Sequence, residues 1–93
     1  MTSKERAFLR SQAHHIDSIM NIGKEGATPE LIASIDEALE ARELIKIGVL
    51  KTCELEPREV AEVIAGRSKS EVVQVIGRKI TLYRKNKKNK YEL

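Results

Sequence analysis

Gly23 and Gly26 enclose Lys24 and Glu25, and no other set in the chain combines residue type and spacing so directly with a chemistry. Glycine lacks the Cβ that excludes positive φ, so such a turn bends tightly and lets a ligand approach the backbone. Thr28 and Pro29 follow as an N-cap and a first helical residue. Unpaired first-turn amides and the positive end of a helix dipole then gather beside the Lys24 ammonium. Amides and one cation on a bend hold phosphate, and glycine-flanked loops of this kind clamp nucleic-acid backbones. The plain alternative is a strand-to-helix turn whose glycines serve geometry and whose lysine is solvated. The spacing is not that of a nucleotide-binding P-loop.

Further donors to phosphate oxygens are Arg6 and Arg10, which share one side of a helix with His14 at i, i+4, i+8, and the adjacent Arg78 and Lys79. Each also reads as part of a solvated face. Residues 1–77 carry 10 Lys and Arg against 13 Asp and Glu, whereas residues 78–93 carry 7 against a single Glu. The net charge of +3 is therefore concentrated at one end, which favours a polyanion or an acidic surface as partner. Lys85, Lys87, Lys88 and Lys90 add sequence-independent attraction or are merely solvated.

Catalytic and metal chemistry find little support. His14 and His15 are neighbours on a helix and point about 100° apart, and no H-x-x-x-H or C-x-x-C accompanies them. Asp36, Glu37 and Glu40 lie along one short stretch with no nucleophile or positioned histidine near them. Asp36 and Glu40 repel each other at i, i+4 unless a cation lies close. Cys53, the single cysteine, has acidic neighbours that disfavour a thiolate. No enzyme, cofactor or metal site is expected. The aromatic residues are Phe8, Tyr83 and Tyr91, too few for a platform on which several bases stack, so recognition should favour backbone and shape.

The elements that must position these groups follow from periodicity. A first helix follows Ser3, with Phe8, Leu9 and Ala13 as its buried stripe. Residues 18–22 read as a short strand running into the glycine loop. Leu31, Ile32, Ile35, Ala38 and Leu39 predict an amphipathic helix over 29–41. Ile45, Ile47 and Val49 alternate with Leu44, Lys46 and Gly48 in a strand over 43–50, where Gly48 marks a bulge or a close backbone approach. Pro57 opens a third helix with Gly66 as its stop. Gly77-Arg78 separates strands 72–76 and 79–83 as a glycine-first hairpin turn. The order α-β-α-β-α-β-β makes a two-layer α/β domain on a mixed sheet. At 93 residues one core is expected, with residues 85–93 as a flexible basic tail. One cysteine and no long apolar run fit a reducing, cytoplasmic setting.

Leu9–His15, Ile22–Gly26, Glu37–Lys46 and Ile76–Arg84, in that order, resemble the bacterial YhbY family, the stand-alone form of the CRM (chloroplast RNA splicing and ribosome maturation) domain. The resemblance spans residues 3 to 84. It implies a fold similar to the C-terminal domain of translation initiation factor three, with a four-stranded mixed sheet and three helices. It also implies RNA binding and, in bacteria, association with precursor 23S ribosomal RNA or large-subunit precursor particles. On the family's pattern Gly23, Lys24, Glu25 and Gly26 form the RNA clamp, assisted by basic residues of the first helix, where Arg6 and Arg10 lie. A protein-interaction adaptor, docking a basic ribosomal protein through the acidic second helix, is the alternative.

Overall fold

The computed structural model describes residues 1–93. Helix α1 (Ser3–Ala13) starts in a capping box: the Thr2 hydroxyl accepts from the Glu5 amide at 3.1 Å and the Glu5 carboxylate accepts from the Thr2 amide at 2.9 Å. That backbone hydrogen bond holds the Glu5 carboxyl below its ordinary pKa. Helix α2 (Pro29–Arg42) is capped by Thr28, whose hydroxyl accepts from Leu31 N at 3.0 Å. Helix α3 (Pro57–Ser68) also begins at a proline, where the missing N–H costs no hydrogen bond.

Strands β1 (Ser18–Ile22), β2 (Leu44–Val49), β3 (Glu71–Ile76) and β4 (Lys79–Tyr83) form one sheet in the order β1-β2-β4-β3. The β1–β2 pair is parallel and the other two are antiparallel, so the sheet is mixed. Gly77 takes φ 56° at the hairpin, the left-handed conformation that a glycine-first turn demands.

Alternation in β2 divides the molecule. Ile45, Ile47 and Val49, with Ile22, Ile80 and Leu82, meet Ile35 and Leu39 of α2 and Val60, Ala61 and Ile64 of α3 in the main core. On the opposite face Leu44, Val73 and Tyr83 pack under Leu9 of α1 in a smaller cluster. One short helix covers only the end of the sheet where β2 begins and β4 ends. The other end of that face is left uncovered.

Three sequence expectations shift. Phe8 is 41% exposed, and Leu9 and Ala13 are the residues of α1 that are buried; the Phe8 ring meets Tyr91 edge-on at 6.4 Å. Gly66 lies within α3, which ends instead at Lys69 in the left-handed conformation (φ 55°), with Lys69 N and Ser70 N both donating to Ala65 O. Residues 84–93 fold back on the domain rather than project from it. Arg84 N donates to Glu43 O, Lys90 N to the Glu43 carboxylate at 2.8 Å, and Asn86 Nδ2 to Glu40 O at 2.6 Å. Tyr91 and Leu93 then seal the smaller cluster.

Candidate nucleic-acid interface

The glycine loop is open. Gly26 N donates to Gly23 O at 3.0 Å, closing a four-residue turn, and Thr28 N donates to Gly26 O at 3.0 Å. Lys24 and Glu25 are exposed at the tip, and the N–H groups of Lys24, Glu25 and Ala27 have no acceptor within the chain. The two glycines do different things. Gly26 takes φ +68°, which a side chain would strain, whereas a Cβ on Gly23 would meet Leu50 at 3.5 Å and Thr52 at 3.7 Å, ordinary contacts. The fold needs Gly26; it does not need Gly23.

Beside the loop, register places a row across all four strands: Asn21 of β1 opposite Gly48 of β2, Gly48 opposite Lys79 of β4, and Lys79 opposite Ile76 of β3. A second row holds Lys46, Thr81 and Gln74. These side chains stand on the face that α1 only partly covers, because Ile47 and Val49 point into the main core. Asn21, Lys79 and Ile76 are exposed. The row runs straight into the loop, since Asn21 is two residues before Gly23.

The flank of α1 completes the rim. Phe8 contacts Tyr91 of the returning tail on one side of the helix. Arg10, two residues on, lies about 160° round the axis, on the flank that faces the uncovered strands. His14, one turn further, is exposed there as well. Both ion pairs of the chain are made by Arg84, so Arg10, Lys24, Lys46 and Lys79 have no carboxylate partner. Four unpaired cations surround a polar, shallow half-sheet and a bend with free amides, all of them groups able to donate to phosphate oxygens.

Two of the arginines picked out in the sequence are occupied otherwise. Arg6 donates through Nη1 to the carbonyl of Val72 and, at 3.2 Å, to that of Val73, anchoring α1 to the irregular stretch of β3 where the register shifts. Arg78 donates to Val49 O and to Leu50 O at 2.7 Å each, fixing the hairpin against the last residue of β2 and the one after it. Both charges stay near the surface, but both forks serve the fold. Lys46 and Asn21 join this surface without standing out in the sequence as binding groups. Alternation alone put Lys46 beside Gly48; Asn21 enters only through the parallel pairing of β1 with β2.

Other candidates resolve structurally. The Asp36 and Glu40 carboxylates receive the Arg84 guanidinium at 2.7 and 3.6 Å, so the acidic side of α2 carries its own cation. Tyr83 is buried beneath Tyr91, ring centroids 6.3 Å apart, and offers no face to a base. Burial first, and the nearby Glu43 second, raise the pKa of both Tyr83 and Tyr91. No helix is long and apolar enough to cross a membrane.

The chain is similar to known proteins over nearly its whole length. Residues 1–84 match the family model described as the CRS1 / YhbY (CRM) domain. The chain is 49% identical over 90 residues to the Bacillus subtilis "Probable RNA-binding protein YqeI", covering 97% of this chain and 94% of that one. It is 31% identical to a Haemophilus influenzae protein named "RNA-binding protein", covering 100% of this chain and 94% of that one. The solution structure of a hypothetical Staphylococcus aureus protein, described as a candidate RNA binder, superposes with a TM-score of 0.83 at 46% identity, covering 98% of this chain and 95% of that one.

Proposed function

The chain belongs to the CRS1 / YhbY (CRM) domain family, and from this we infer that it is an RNA-binding protein that grips structured RNA without covalent chemistry. The observation that carries the reading is the grouping of Arg10, Lys24, Lys46 and Lys79, all without carboxylate partners, around free loop amides and the uncovered half of the sheet. Phosphate contacts supply affinity and orientation. No aromatic ring is presented on this surface, because Tyr83 is buried and Phe8 and Tyr91 pair on the far flank of α1. Shape and backbone recognition of folded RNA is the mode this chemistry favours.

The finer reading is a cytoplasmic factor in ribosome assembly that holds precursor 23S ribosomal RNA of the large subunit. Its support is the resemblance of the four sequence blocks to the YhbY family. The adaptor reading, in which α2 docks a basic protein, is weakened by the Arg84 pairs. Crosslinking of the protein to RNA in growing cells tests the reading. Enrichment of precursor 23S RNA, with contacts at the loop and β2, is expected; crosslinks spread evenly over messenger RNA would contradict it.

A further inference from the structure

The row Asn21, Gly48, Lys79, Ile76 has a feature that phosphate binding does not explain. A Cβ on Gly48 would lie 2.3 Å from Asn21 Oδ1 and 3.3 Å from Lys79 Nζ, so an amide and an ammonium converge over the same bare stretch of strand. Gly48 is interior to β2, where glycine weakens a strand and is kept for a close approach. Neither the Asn21 amide nor the Lys79 ammonium makes a hydrogen bond or ion pair within the chain, and both are exposed. Ile76, at the end of the row, is 61% exposed, more than any other large hydrophobic residue.

We propose that this row is a ribose subsite through which the protein distinguishes RNA from DNA, with Asn21 as the residue that reads the 2′-hydroxyl. The proposal rests on the RNA-binding reading and deepens it. An amide both donates and accepts, and so does a 2′-hydroxyl. The wide, shallow minor groove of an A-form helix displays these hydroxyls, which suits a face of similar shallowness. Lys79 meets the adjoining phosphate, and Ile76 offers an apolar shoulder to the ribose carbons. Asn21 is uncharged, so its contribution is separable from the general attraction of the cations around it. Gly48 is a positioning residue: a methyl group there displaces the Asn21 side chain.

The test uses one sequence prepared as an RNA duplex and as a DNA duplex, titrated at a single low salt concentration with the full chain and with Asn21→Ala, Gly48→Ala and Lys24→Ala. The unaltered protein is expected to prefer RNA. Asn21→Ala should weaken RNA binding roughly three- to tenfold, the worth of one hydrogen bond, and leave DNA binding as it was. Gly48→Ala, its fold checked by circular dichroism, should reproduce that pattern, and Lys24→Ala should weaken both duplexes alike. Equal weakening of both duplexes by Asn21→Ala, no weakening of either, or no preference in the unaltered protein overturns the ribose subsite and leaves RNA binding standing. Failure of the unaltered protein to bind either duplex overturns the RNA-binding reading itself.

Discussion

The Arg84 guanidinium donates to the Asp36 carboxylate at 2.7 Å while also reaching the main-chain carbonyls of Asp36 and Ser68. One side chain at the end of β4 thus ties α2 to the end of α3. Asp36 is half exposed, so the ion pair itself contributes little; the bonds to carbonyls contribute more. Arg84→Ala is expected to cost about 1–2 kcal/mol in a urea titration and to leave RNA affinity unchanged.

Arg78 and Lys79 are neighbours with separate tasks. Arg78→Ala removes two bonds to the Val49 and Leu50 carbonyls and should lower the thermal midpoint, with the salt dependence of RNA binding unaltered. Lys79→Ala should leave the midpoint in place and reduce the slope of log K against log salt by about 0.7–0.9, the value of one phosphate contact. Melting curves and salt titrations on the two variants check this.

The glycines of the loop should also separate. Gly23→Ala meets only ordinary contacts and is expected to keep or slightly raise stability, by up to about 1 kcal/mol through the unfolded chain, while weakening RNA binding at the backbone. Gly26→Ala must hold a side chain at φ +68° and should lose about 1–2 kcal/mol. Denaturant midpoints paired with affinities distinguish the two.

Tyr83 and Tyr91 ionise above their ordinary range in the folded chain, chiefly through burial and then through Glu43. A raised folded pKa means that the unfolded chain ionises first. The tyrosine contribution to stability is therefore complete below about pH 10 and is lost as pH rises through the higher folded value. The double variant Tyr83→Phe, Tyr91→Phe should show a shallower alkaline decline than the unaltered protein in pH-dependent unfolding.

Local signals carried much of this fold. The alternation of Ile45, Ile47 and Val49, the Thr28-Pro29 start of α2 and the glycine-first turn at Gly77 each specify their element within a few residues, and the loop emerged open where glycine spacing placed it. What stayed hidden was decided by distant partners. Arg6 and Arg78 look like free cations until β3 and the end of β2 present carbonyls to them. The basic composition of residues 85–93 disguises Tyr91 and Leu93, which find their apolar site only once Tyr83 and Leu44 are side by side. Asn21 meets Gly48 through a parallel pairing that no hairpin announces.

The most direct measurement is the salt dependence of binding to a structured fragment of large-subunit ribosomal RNA. It compares the unaltered protein with the variant Arg10→Ala, Lys24→Ala, Lys46→Ala, Lys79→Ala. Removing four cations that each meet a phosphate should make the slope of log K against log salt shallower by about 3, with a matching fall in affinity and an unchanged circular dichroism spectrum. An identical slope and affinity in the folded variant would contradict an RNA-binding surface built on these four cations.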